Sequence, residues 1–425
     1  MEPQESVSIL AEIKPDEKAE LERVLEAMGK DAAQNDVIPL GKLSKVHFAR
    51  FVILDETTDL AGAPIPAMLA YMSDIDGTVE PHLSELVDLA GDGLDHVFGH
   101  CVGYPPPGQR ARQPRLAFLR SRRLGAGVVY VNTIGRTVRQ MQQEAELREA
   151  IEGFLDRSEH DWSRRTTPEI RAAIQRFVHG EEALSWAKAP EPPLSFLWRV
   201  NELLHFSVVI LALVILSPVI IAGFPFWLVL LRLHELSDIP ENIRPTAARL
   251  EQLASLEDYV VQNQLSAVGF VKPGRFRRFT VAVVSWITNF GARHLFNNGN
   301  LAGVKSIHFA RWLSIDGGKR TLFAPNYDGS LEQYTTDFID RVARGLNAHD
   351  SNGVGFPRTS WLFFGGAENE QDLKYFVRNH QIMTQVWYAA YAGLSTTNID
   401  NNAKIRAGLY GNMTEAATRE WLARL

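Results

Sequence analysis

The sequence has a single cysteine, Cys101, in 425 residues. That excludes an intramolecular disulfide framework and any metal site built on paired cysteines, and it fits a reducing compartment. A basic excess is also missing: 44 Lys and Arg stand against 50 Asp and Glu, a formal charge of −6. A nucleic-acid binder normally carries the opposite balance, so nucleic acid is not an expected partner. There is no phosphate loop, no Gly-x-Gly-x-x-Gly fingerprint, no His-Glu-x-x-His zinc motif and no nucleophile elbow. Gly365-Gly366 follows a strand-like run but is too short for a nucleotide signature. The opening Met1-Glu2-Pro3-Gln4-Glu5 lacks the apolar core of a secretory signal, which points the first half to the cytoplasm. With 45% hydrophobic and 22% charged residues, the usage is that of an ordered globular chain.

What the sequence does have is a long apolar run. No residue from Phe206 to Leu231 is charged, and about 20 such residues are enough to span a bilayer. Arg199 and Arg232 bracket the run, with Trp198 and Trp227 at interfacial positions. Pro218, Gly223 and Pro225 interrupt its middle, where proline removes a helical donor. Two arms of about 14 residues would each reach only about 21 Å. The expectation is therefore a re-entrant membrane hairpin over 199–235, preferred to a single crossing. A buried core helix is a poor account of so long a run. Further on, Arg275, Arg277 and Arg278 head a helix carrying Phe276, Phe279, Val283, Trp286, Ile287 and Phe290. Cations there oppose the helix dipole, and lipid phosphates beside an interfacial apolar stripe would offset this. The plainer alternative is a core helix with solvated arginines.

The two flanks of the apolar run repeat each other. Val46-His47-Phe48-Ala49-Arg50-Phe51 matches Ile307-His308-Phe309-Ala310-Arg311-Trp312 at one offset (308 − 47 = 261). Asp76-Gly77 matches Asp328-Gly329 (328 − 76 = 252), and that offset holds through Val102-Gly103-Tyr104-Pro105 and Val354-Gly355-Phe356-Pro357. Ser8–Pro15 parallels Ser266–Pro273 (266 − 8 = 258). Such repeats fix architecture before any other feature. Apolar periodicity gives strand 6–14, helix 16–30, strands 46–54 and 67–73, helix 79–90, strand 127–131 and a charged helix over 136–157. In the second copy it gives strand 265–272, helix 275–290, strands 307–315 and 320–325, helix 331–346 and strand 360–364.

The order β-α-β-β-α-β is that of a ferredoxin-like unit. An α+β chain with two such repeats resembles the dimeric α+β barrel superfamily in its fused form. The resemblance implies a pseudo-dimeric barrel with a membrane hairpin inserted between its halves. The expected units are a first repeat over 1–157, a helical linker over 158–198, the apolar segment over 199–235 and a linker helix over 236–263. A second repeat over 264–366 and a helical extension over 367–425 complete the chain. Trp387-Tyr388-Ala389-Ala390-Tyr391 is read as belonging to that extension, without a counterpart in the first copy.

The candidate chemistry lies in the repeated His-Phe-Ala-Arg and Asp-Gly. On a strand, His47 and Arg50 point to opposite faces, as do His308 and Arg311. A buried arginine needs a partner, so these are either ligand-binding groups or structural ion pairs with Asp76 or Asp328. The superfamily includes dye-decolourising peroxidases, whose Gly-x-x-Asp-Gly pattern supplies a distal acid above a haem. Here Ser73 and Pro325 stand where that pattern has its first glycine. The resemblance implies Asp328 or Asp76 as proton-handling acid, Arg311 or Arg50 as charge stabiliser, and His308 or His380 as axial ligand of a non-covalent haem b. The expected function is a membrane-attached haem peroxidase acting on an apolar or lipid-derived substrate. A non-catalytic lipid- or partner-binding protein at the membrane surface and a cofactor-free monooxygenase-like barrel are the alternatives. A homo-oligomer is compatible with all three.

Overall fold

The computed structural model describes residues 3–125, 127–157, 161–239, 243–255 and 257–425. Residues 158–160, 240–242 and 256, inside the two expected linkers, lie outside the described residues, as do Met1, Glu2 and Ala126. The fold is mixed α+β, with antiparallel sheets that include a curled half-barrel.

In the first sheet β1 (Gln4–Glu12), β3 (Met68–Asp76) and β2 (Val46–Leu54) are adjacent in that order, each pair antiparallel. β1 and β3 are in register from Gln4↔Asp76 to Glu12↔Met68. In the second sheet the long β7 (Ile307–Ile315) pairs along one edge with β8 (Arg320–Phe323) and β9 (Asn326–Asp328). These pair in turn with β6 (Ala267–Phe270) and β5 (Gln262–Gln264). The alternating apolar residues that defined these strands in the sequence have two buried faces to fill. One face of the first sheet packs on its helices through Phe51, Tyr71 and Leu69 with Leu21, Leu83 and Leu86. The other face meets the second sheet, where Leu10, Val52, Leu54 and Met72 pack against Leu313, Ile315 and Leu322.

The remaining strand of each sheet comes from the opposite half of the chain. β4 (Val128–Val131) pairs with β7, from Val128↔Trp312 to Val131↔Phe309. β10 (Val386–Ala389) pairs with β2, from Val386↔Phe51 to Ala389↔Phe48. The two pairings are matched in register, since 312 − 51 equals 309 − 48. This corrects two expectations. The segment 360–364 is not a fourth strand: Thr359–Ser360 and Phe364–Gly365 form only a small hairpin with each other. Between them Trp361 and Leu362 have φ of 55° and 68°, and their N–H groups are taken by the Glu235 carboxylate (2.8 and 2.7 Å) rather than by a ladder. Residues 386–391 in turn do have a first-half counterpart, the strand β4.

The helices are α1 (Lys18–Gly29), α2 (Val79–Phe98), α3 (Arg112–Ser121), α4 (Val138–Leu155) and α5 (Thr167–Gly180) in the first half. After the apolar helix α6 (Phe196–Ser237) come α7 (Ala247–Ala254), α8 (Arg275–His294), α9 (Leu331–Asp350), α10 (Glu370–His380), α11 (Thr396–Ala407) and α12 (Glu415–Leu422). α2 and α9 each have 20 residues and break helical geometry at corresponding points, Ala90 and Val342 (342 − 90 = 252).

The apolar run is one continuous helix of 42 residues and not the expected hairpin; Pro218 and Pro225 both lie inside it. Each proline removes one donor, but its fixed φ is helical, so it bends a helix that neighbouring turns sustain. At one end Glu202 pairs with Arg293 (2.5 Å), and His205 bonds His294 (2.8 Å). At the other end Glu235 is fully buried, and Asp238 just beyond the helix pairs with Lys272 and Arg277 (2.8 Å each). Both ends are therefore fixed to the same body, beside α8. Between them Val214, Ile215, Val219, Ile221 and Phe226 are more than 60% exposed.

Candidate functional site

His47 and His308 sit in β-bulges at matched places. The bulge at His47 lies between the pairs Val46↔Ile75 and Phe48↔Asp74, that at His308 between Ile307↔Tyr327 and Phe309↔Asn326. A bulge re-aims its side chain, and here each ring turns to the carboxylate that ends the neighbouring strand. His47 Nε2 lies 2.9 Å from Asp76 Oδ1, and His308 Nε2 lies 2.7 Å from Asp328 Oδ1. The second oxygen of each carboxylate caps a helix. Asp76 Oδ2 accepts from Val138 N at the start of α4 (2.9 Å). Asp328 Oδ2 accepts from Thr396 N and Oγ1 at the start of α11 (2.7 Å each). A carboxylate at a helix N-terminus is favoured by the unpaired N–H groups there. His47 Nδ1 meets Tyr391 Oη at 2.8 Å, and burial holds the Tyr391 phenol well above its usual pKa. Beside His308 and Tyr391 the open space is only about 10 Å³, about one water.

The arginines are cross-sheet struts. Arg50 donates to Leu265 O (2.6 Å), Ser266 Oγ (3.1 Å), Pro325 O (2.8 Å) and Asn326 Oδ1 (2.5 Å). Arg311 donates to Val7 O (2.5 Å), Ser8 Oγ (3.0 Å) and Asp74 Oδ1. Each guanidinium thus reaches across to the opposite sheet, at matched residues. Asn326 Nδ2 closes the arrangement by donating to Asp74 Oδ2 (3.3 Å). Burial, and then the Arg311 charge, push Arg50 down to about 9. The sequence reading paired these arginines with Asp76 or Asp328 and missed Asp74. Its signal was present, because Asp74 lies two residues before Asp76 and so shares its face of the strand.

His380 is elsewhere, at the end of α10, with Nδ1 2.8 Å from Phe376 O and its ring over Gly269. A Cβ on Gly269 would stand 2.9 Å from His380 Cδ2. The ring borders a cleft on the outer face of the second sheet, covered by α8, α9 and α10, with about 100 Å³ of interior volume. Its walls are apolar, with Val268, Trp312, Phe323, Phe338 and Phe376 among them.

The structure therefore brings His308 together with Asp328, and His47 with Asp76, but it sets the arginines between the sheets and His380 on the far face. The residues do not fit a haem. The acids and arginines already serve one another, a helix start or the backbone, and among the described residues they border no cavity that a macrocycle could enter. Comparison with protein-family models, with curated proteins and with solved structures gives no match.

Proposed function

We propose that this protein rests on a membrane surface and binds lipid there without catalysing a reaction of its own. Its architecture is best described as two ferredoxin-like repeats closed into a pseudo-dimeric α+β barrel by exchange of their fourth strands. The observation that carries the functional reading is α6: 42 residues long, apolar on every side from Phe206 to Leu231, exposed along its middle and tied at both ends to one body. In water such a surface would be a severe liability. Glu202 and Asp238 stand 36 residues apart, about 54 Å along a straight helix, yet they pair with Arg293 and Arg277, only 16 residues or about 24 Å apart on α8, so α6 bows away from α8 between its anchors. Two ends held on one body favour a helix lying along the interface over one that crosses it. α8 adds Phe279, Trp286 and Ile287, all about half exposed or more. The cytoplasmic leaflet is the face we assign, in keeping with one buried, unpaired cysteine.

The peroxidase reading has no comparable support, because its histidine and acid bond each other while its arginine is held apart between the sheets. Flotation of the purified full-length protein with phosphatidylcholine vesicles tests the proposal. Recovery in the lipid fraction through a high-salt wash is expected, and protein left at the bottom of the gradient refutes it.

A further inference from the structure

The two halves differ most where the outer face of each sheet meets its helices. In the first sheet that space is solid: Ile9, Ala11, Leu69, Val97, Phe98 and Cys101 are all buried to within 1%. The second sheet has Ala267, Gly269, Thr321, His349, Asp350 and Gly353 at the matched places, and all of them line the cleft. Strand pairing fixes the correspondence independently of the sequence alignment. Ile9 faces Tyr71 as Ala267 faces Phe323, and Ala11 faces Leu69 as Gly269 faces Thr321. The isolated bridges Ile13↔Cys101 and Val271↔Gly353 match as well. The cleft therefore arises from large apolar side chains giving way to small or polar ones on a retained frame.

It is long and narrow. Its lining runs along α9 from Tyr334 to His349, 15 residues or about 22 Å of helix at 1.5 Å per residue. α8 forms one wall through Val281 and turns Phe279, Val283, Trp286 and Ile287 outward. The cleft thus lies one helix away from the surface assigned to the membrane. Among the described residues, three buried polar atoms on cleft-lining side chains have no hydrogen-bond partner: Tyr334 Oη, His349 Nε2 and Asn352 Nδ2. Tyr334 and Asn352 are 5% and 0% exposed. Buried donors are rarely left unmet, and a molecule in the cleft that accepts a hydrogen bond would satisfy them. Burial raises the Tyr334 pKa far above neutrality, so its proton stays in place to be donated.

We infer that the cleft binds a single-chain lipid-derived molecule, a fatty acid or its ester, with the chain along α9 and its carbonyl oxygen accepting from Tyr334 at one end. This rests on the membrane-surface reading for the source of the ligand, and it names the site and the ligand class. The narrow interior suits one acyl chain and not a two-chain phospholipid.

The test uses full-length protein in phosphatidylcholine nanodiscs and a palmitate carrying a diazirine on its chain, with cross-linked peptides mapped by mass spectrometry. Saturable labelling of peptides from α9 and α10 is expected. Palmitate and methyl palmitate should compete, and hexadecane about tenfold less well, the factor for one lost hydrogen bond of about 1.4 kcal/mol. Ala267→Ile with Thr321→Leu, which restores side chains like those packed in the first half, should abolish labelling while vesicle flotation persists. Tyr334→Phe, a one-atom change, should weaken competition by methyl palmitate but not by hexadecane. Labelling confined to α6 and the outer face of α8, or unchanged in the filled variant, overturns the assignment. So does equal labelling by a phosphatidylcholine carrying the same diazirine chain. If flotation fails while palmitate still labels the cleft, the cleft stands and the membrane reading falls.

Discussion

At the scale of single residues, the repeated arginines are equivalent in place but unequal in energetics. Arg311 faces a carboxylate, Asp74, whereas Arg50 has the neutral Asn326 at the matched position. Removing Arg311 leaves a buried anion without its cation, which typically costs about 3–5 kcal/mol. Removing Arg50 leaves uncharged acceptors unmet, at about 1–3 kcal/mol. Urea unfolding in mild detergent should therefore show Arg311→Met as the more damaging change, with Asp74→Asn in the same chain recovering part of the loss. The reverse order would contradict the strut account. A pH effect follows from Asp59, whose carboxylate bonds Lys319 across the halves (2.7 Å). That bond, with the N–H groups of Ala63 and Ala61, holds it down to about 2. A depressed carboxyl stabilises the fold above its unfolded pKa of about 3.9, and the gain disappears as pH falls toward 2. Asp59→Asn should flatten the pH dependence of unfolding between those limits, and an unchanged slope would remove Asp59 from the account.

Among the elements, α6 and the exchanged strands carry most of the new information. The composition of 206–231 announced a membrane element, but its prolines pointed to a hairpin, and the structure keeps one helix. Local chemistry says that a proline costs a donor; it does not say whether the surrounding turns hold. The fixing of α6 rests instead on contacts distant in sequence. Glu235 accepts from Thr359 Oγ1, Trp361 N and Leu362 N, so Glu235→Ala should destabilise the 359–365 hairpin by about 1–3 kcal/mol through unmet N–H groups. Faster amide exchange confined to that hairpin is the expected reading. Charged residues at Ile215 and Ile221, both exposed, should lower vesicle binding tenfold or more if the helix is embedded, since each charge costs about 2.5–3.5 kcal/mol at a membrane centre and less near the interface. Unchanged flotation would mean that α6 does not touch lipid.

For the molecule as a whole, repetition in the sequence revealed more than composition did. The offsets of 261, 252 and 258 residues correspond to strands that pair in matched register, and His-Phe-Ala-Arg marks matched bulges in both sheets. The fourth strands were misassigned because apolar alternation defines a strand without naming its partner. Val128-Val129-Tyr130-Val131 and Val386-Trp387-Tyr388-Ala389 share the 258-residue offset of the first strands, and following it would have found the pair. The cleft was illegible for a different reason. It is defined by what matched side chains lack, as where Phe98 corresponds to Asp350 and Cys101 to Gly353, and that is visible only once the register is known. The central claim is that both ends of α6 stay on one side of the bilayer, and an impermeant maleimide tests it most directly. With Ser195→Cys and Ser237→Cys introduced separately, and native Cys101 buried and unreactive, the account predicts that both are labelled from outside sealed vesicles to which the protein is bound. Labelling of only one until detergent opens the vesicles would make α6 a crossing helix and contradict the account.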